Sequence, residues 1–349
     1  MVGLGITLWF LGESLASVTR LPLWALGVGV ALVAVNYLAG GARLHLLTRI
    51  VGQPVSLSGS IRAYALGLFS AAATPGNTGQ APAVVLSFTS DGMTASRAWS
   101  VNFYVWILDL VLLAYSLPIS LLLLGRSTRL LSFTSPWLLA GLAVAGPTAL
   151  LWLLIYRLPL LTRWAKSIFK IRWLRRWHTS ISQFLGRFET AISELRGGTG
   201  AHRVTLHLLT ALVYFSTLFT FYVMVASMQP GTPLFITLAI AQVPTVLSTF
   251  FPTPGGAGLL EIFTASLMVA GAGGTATERA GREALGDHQT SGTIAAAILG
   301  WRLLTYYSRF LVAPALGAAR LGMKRPVESA SPRHDASLDE LQESGEADS

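Results

Sequence analysis

Five stretches of the chain, residues 21–47, 98–124, 136–156, 204–228 and 293–316, each run for about 20 residues or more with almost no charge. A hydrocarbon core of about 30 Å takes about 20 residues of α-helix, and inside it every backbone N–H and C=O must find a partner within the protein. Helices that cross the membrane meet both conditions. Composition agrees: of 349 residues 52% are apolar and 12% charged, against roughly 25% charged in a soluble domain, and the mean hydropathy is +0.58. The chain therefore reads as an all-α polytopic integral membrane protein, with room for about six to nine crossings or half-crossings once loops are subtracted. A soluble enzyme, a secreted disulfide scaffold and a disordered protein are excluded. The absence of cysteine also removes thiolate metal sites and cysteine nucleophiles.

Two further apolar regions are broken at their centres. Residues 63–90 are interrupted by Thr74-Pro75-Gly76-Asn77-Thr78-Gly79-Gln80, and residues 235–274 by Pro252-Thr253-Pro254-Gly255-Gly256-Ala257-Gly258. The arms of the first, about ten residues each, make about 15 Å of helix, half a membrane; those of the second, about 16 residues each, make about 24 Å. Thr-Pro-Gly-x-x-Gly stands in both breaks, so the chain contains an internal repeat.

Charge sets the expected topology. Ten of the 25 Lys and Arg fall within residues 157–203, and the positive-inside rule puts that loop in the cytoplasm. The first broken hairpin then enters from the cytoplasmic side, flanked by Arg49, Arg62 and Arg97, and the second enters from outside. The last span returns to a cytoplasmic tail that begins with Arg320, Lys324 and Arg325; Arg126 and Arg129, placed outside, run against the trend. Hairpins opening to opposite faces define an inverted repeat with two re-entrant-type segments, and broken segments in corresponding halves point to a central cavity. A simple kink or tight loop would use the same residue types.

The domain reading follows: residues 1–156 form the first membrane repeat plus a connecting helix, 157–203 a basic amphipathic cytoplasmic loop, 204–318 the second repeat and 319–349 an acidic tail expected to be disordered. The apolar run 2–12 lacks the basic flank of a signal peptide. The expected location is the plasma (inner) membrane, multi-pass, with the C-terminus in the cytoplasm.

Ionisable residues within apolar segments cost on the order of 2.5–3.5 kcal/mol at a helix centre, so each needs a partner or a task. Arg43, Asp109, Glu261 and Arg302 stand out. One reading makes them structural ion pairs. The other has Arg43 and Arg302 engage a lipid phosphate through the planar fork of the guanidinium, with Asp109 and Glu261 as polar lining. Helices starting after Gly79 and Gly258 would aim free N–H groups at an anion. Neither glycine motif has the P-loop lysine, the histidines show no HExxH spacing, and no nucleophile elbow or paired-carboxylate pattern stands out, so no metal, cofactor or catalysis is expected. The basic residues of 157–203 interleave with Trp164, Trp173 and Trp177, as in an interfacial helix or a docking site for a membrane-associated transferase; nucleic acid is not an expected partner, and self-association stays open.

On these residues the chain resembles the flippase-like transmembrane domain of lysylphosphatidylglycerol synthases. Arg43, Pro75-Gly76-x-x-Gly79-Gln80 and Asp109 carry the likeness in the first half. In the second half it rests on Gln242-Val243-Pro244, on Pro254-Gly255-Gly256-Ala257-Gly258-Leu259-Leu260-Glu261, and on Arg302 with Tyr306. It covers roughly residues 15–320, and the second signature is the more specific. Gln80 stands where the family commonly has Glu, and Trp106 where it often has Arg, so the first half lacks two charges. The resemblance implies a stand-alone, non-enzymatic carrier that moves or presents an anionic phospholipid or a polyprenyl-phosphate-linked lipid. No synthase domain follows Leu316, so lysyl-lipid synthesis is not expected. The alternatives are an accessory subunit for a membrane glycosyltransferase and a transporter of small anionic solutes.

Overall fold

The computed structural model describes residues 19–128, 197–248, 253–271 and 287–323, with isolated positions between 145 and 194. The expected span 136–156, the apolar run 2–12, most of the basic loop and most of the acidic tail lie outside the described residues. The chain divides into two compact units, Met1–Ala313 and Pro314–Ser349. Every site discussed below belongs to the first; of the second, the described part is helical as far as Met323.

The described elements are helical. They are α1 (Leu23–Ile50), α2 (Leu57–Ala73), α3 (Gln80–Ser90), α4 (Ala95–Thr128), α5 (Gly200–Met228), α6 (Leu234–Ser248), α7 (Leu259–Gly271), α8 (Asp287–Arg302) and α9 (Arg309–Met323), with a π-helical turn, Leu303–Tyr307, joining the last two. Helices α1, α4 and α5 are long and apolar enough to cross a membrane. Outward-facing Leu23, Phe235, Leu86 and Leu311 stay exposed, as expected of side chains whose solvent is lipid. The protein is an all-α, multi-pass membrane protein.

Order along the chain places one helix–break–helix unit, α2 and α3, after α1 and another, α6 and α7, after α5. The first arm is longer than hydropathy alone suggests. Helix α2 begins at Leu57 because the Ser56 hydroxyl accepts the Gly59 N–H at 3.1 Å, and its first turns are polar enough, with Ser58, Ser60 and Arg62, to fall below an apolar window.

Helix α1 packs along α5 and against α2, α6 packs against α4, and α8 against α5. Small residues bring these backbones together, the usual means of helix association in lipid, where apolar burial alone distinguishes little. A β-carbon at Gly41 would lie 2.3 Å from Ile61 Cγ1 and 2.8 Å from Ile61 Cα, so α1 and α2 meet nearly backbone to backbone. Gly41→Ala is therefore expected to cost about 1–3 kcal/mol by overpacking. Gly27, on the same helix with nothing within 4 Å of its β-carbon position, should accept Ala without loss. Thermal unfolding midpoints of the two detergent-solubilised variants check this, and equal midpoints would show that the α1–α2 contact is slack.

Candidate functional site

Both breaks fold into the same turn. In the first, Gly76 and Asn77 have φ of 59° and 58°; in the second, Gly255 and Gly256 have φ of 56° and 68°. Two consecutive left-handed residues, closed by Thr78 N–H to Pro75 O (3.3 Å) or Ala257 N–H to Pro254 O (3.1 Å), match a type I′ turn. The turns meet through an antiparallel backbone bridge between Pro75 and Pro254. Tyr306, on the π-helical turn, stitches them together: its hydroxyl donates to Ala72 O (3.1 Å), at the end of α2, and to Pro254 O (3.3 Å).

The two turns differ in the group that accepts the N–H of the closing glycine. Gly79 N–H donates to Thr74 Oγ1 (2.8 Å), while Gly258 N–H donates to Glu261 Oε2 (2.7 Å), a carboxylate reaching back three residues as in a capping box. These two N–H groups are thus satisfied within the protein rather than held open for an anion. Gln80, the first residue of α3, makes no side-chain hydrogen bond among the described residues.

Glu261 has a second partner. Its Oε1 accepts from Arg302 Nε at 2.6 Å, and the same guanidinium donates through Nη2 to Gly255 O (3.2 Å) and lies 4.1 Å from the centre of the Tyr306 ring. Arg302 is 5% exposed and Glu261 12%, so the pair is shielded and strong. Gly255 has to be glycine, since a β-carbon there would fall 2.0 Å from Tyr306 Cε2. Arg302, Tyr306, Gly255, Gly258 and Glu261 form one cluster that pins the second turn.

The other singled-out pair lies elsewhere. Arg43, on α1 and 2% exposed, bonds through Nη1 to Asp109 on α4 and to Thr210 Oγ1 on α5 (3.3 Å), while Asp109 itself is 47% exposed. A buried cation thus faces a carboxylate accessible from outside. Arg43 Nε is buried without a hydrogen-bond partner.

Between α4 and α5 runs a groove of about 650 Å³, with Leu108, Leu112 and Tyr115 on one wall and Val204 and Leu208 on the other. Arg203 and His207 stand at the α5 start of the groove, and Thr210, the partner of Arg43, also lines it.

Further polar side chains hold the helices in register; of these, Gln242 belongs to a motif singled out in the sequence and Asn36 does not. Asn36 donates to Val213 O (2.7 Å), Ser216 Oγ and Thr217 Oγ1 and accepts from the Tyr64 hydroxyl (3.1 Å). Gln242 donates to Ser116 Oγ (2.9 Å) and accepts from Ser120 (2.8 Å), joining α6 to α4. Sequence reasoning also passes over Arg309, although it stands inside the apolar segment 293–316, seven residues after Arg302. The signal was available as a second arginine two helical turns along.

Long apolar helices, broken hairpins whose turns meet, and arginine–carboxylate pairs in the apolar interior define a polytopic α-helical membrane protein built around charged and polar side chains. Residues 1–313 match the family described as lysylphosphatidylglycerol synthase TM region, and the chain belongs to that family. Membership makes it a membrane protein linked to lipid handling. No curated protein matches the chain.

Proposed function

We propose that this protein is a non-enzymatic, flippase-like carrier that moves or presents an anionic phospholipid, or a polyprenyl-phosphate-linked lipid, between leaflets. The observation that carries this reading is the groove between α4 and α5. It has the volume of a small-molecule site, apolar walls suited to an acyl or prenyl chain, and cationic Arg203 at the end where a phosphate would rest. Its inner reach ends at Thr210, beside Arg43. Because Asp109 is half exposed and Arg43 buried, a lipid phosphate can take the place of the carboxylate on the Arg43 fork without uncovering the cation. In this reading the meeting turns of an inverted repeat form the fixed centre past which the headgroup moves. The basic loop faces the cytoplasm and the plasma membrane is the site of action.

Reconstitution into vesicles carrying a fluorescent phosphatidylglycerol in both leaflets tests the proposal. Dithionite should bleach about half of the label at once in protein-free vesicles and the remainder only where the protein exchanges it. Filling the groove with Leu112→Trp and Ala211→Trp together is expected to slow exchange at least tenfold at unchanged melting temperature. Wild-type vesicles no faster than protein-free ones, across phosphatidylglycerol and a polyprenyl phosphate, would remove the carrier reading. That result, together with a transferase co-purifying through the 157–203 loop, would favour an accessory subunit.

A further inference from the structure

A small polar cavity, of about 20 Å³, lies where α1, α5 and the π-helical turn with Arg309 come together, apart from the two arginine–carboxylate pairs. Its lining includes Asn36 and Tyr37 from α1, Thr217 and Thr220 from α5, Thr305 on the π-helical turn and Arg309 one turn beyond it. These positions are near the middles of α1 and α5, so the cavity stands at mid-membrane depth.

The charge balance there is incomplete. Arg43 has Asp109 and Arg302 has Glu261, but Arg309 makes no ion pair or hydrogen bond among the described residues, and its Nε is buried without an acceptor. Among the side chains that act on it electrostatically are the hydroxyls of Tyr37, Tyr64 and Tyr306 and one further cation, Arg302, but no carboxylate. Tyr37 is 8% exposed, and its hydroxyl, also without a partner, belongs to the cavity wall. A guanidinium at membrane depth with no carboxylate partner calls for a counter-anion, since charges removed from water are stable when paired. The Tyr37 hydroxyl has a proton to give such an anion, whereas Thr217, Thr220 and Thr305 donate theirs to Val213 O, Ser216 O and Trp301 O. π-Helical turns recur at functional sites, and this one sets Thr305 and Arg309 on the same wall.

Size bears on the class of anion. A cavity needs about 10–15 Å³ to hold a single water, so 20 Å³ accommodates a monatomic anion. We propose that Arg309, with the Tyr37 hydroxyl, forms a binding site for one small inorganic anion of the chloride class, at the seam between α1, α5 and the π-helical turn. The bound anion neutralises Arg309 and ties these elements together. The site is separate from the lipid groove, so its fate does not depend on the carrier reading.

The test uses the full chain in detergent micelles, melted in sodium chloride and in sodium gluconate at equal ionic strength, with chloride as the probe. Chloride is expected to raise the melting midpoint by several degrees in a saturable manner, as for any ligand that binds the folded state alone. Arg309→Gln should abolish that dependence, and Tyr37→Phe should shift half-saturation several-fold upward. Equal midpoints in chloride and gluconate would overturn the proposal, as would an undiminished chloride effect in Arg309→Gln. Stabilisation by inorganic phosphate but not by chloride would also overturn it, in favour of an oxyanion. Should Arg309→Gln yield no folded protein, Tyr37→Phe decides the matter: an unaltered chloride dependence in that variant refutes the site.

Discussion

Glu261→Ala is expected to destabilise the protein by about 3–5 kcal/mol, the range found when one member of a buried ion pair is removed. One carboxylate serves two partners here. Losing it strands the Arg302 guanidinium, 5% exposed, and leaves the Gly258 N–H at the start of α7 without its acceptor. Against a total stability of about 5–15 kcal/mol for a typical domain, the loss should appear as poor yield of folded protein and a markedly lower melting midpoint. Glu261→Gln keeps an acceptor for Gly258 but turns an amide NH2 towards Arg302 in place of a carboxylate oxygen, so it should fall between wild type and Ala. Arg302→Lys should not behave as a conservative change, because the guanidinium contacts Glu261 Oε1 and Gly255 O through separate nitrogens and an ammonium cannot span both. A double-mutant cycle across Glu261 and Arg302 measures their coupling; a coupling near zero would mean that the pair is incidental.

The second large effect is expected at Gly255. Its φ of 56° disfavours any side chain, and the added β-carbon of Gly255→Ala would meet Tyr306 Cε2 at 2.0 Å, a ring edge with no free end to swing aside. Backbone strain and overpacking together put the cost at about 2–5 kcal/mol. Displacing Tyr306 would also disturb its bonds to Ala72 O and Pro254 O, and with them the joint between the two turns. Tyr306→Ala should therefore relieve part of the Gly255→Ala penalty, giving a double variant better than the sum of the singles. Melting midpoints of the three variants check this, and simple additivity would show that ring and glycine do not collide. On the carrier reading proposed above, Gly255→Ala should lose lipid exchange in vesicles more completely than the groove variants, because it alters the meeting point of the turns.

Much of the helical frame was legible in the chain. The stretches 98–124 and 204–228 fall within α4 and α5, and 21–47 overlaps α1 over all but its first two residues, since membrane-depth hydropathy is a local property and needs no knowledge of neighbours. The two Thr-Pro-Gly-x-x-Gly breaks fold as matching turns because proline, glycine and asparagine restrict or free the backbone wherever they stand. The capping role of Glu261 was also within reach, as its spacing of three from Gly258 is that of a capping box. Less could be read of α2, whose polar first turns hide its start, and of the π-helical turn, which no residue type announces.

Local chemistry by itself determined the membrane class, the positions of the breaks, their turn conformation and the arginines and carboxylates that needed partners. Which arginine meets which carboxylate was decided by the tertiary structure. Arg43 finds Asp109 across 66 positions and Arg302 finds Glu261 across 41, while Arg309, with the same side chain, meets no carboxylate among the described residues. Hydropathy and turn propensity act over a few neighbouring residues, whereas a charge at membrane depth is matched by whatever the packing of distant helices places within about 3 Å of it.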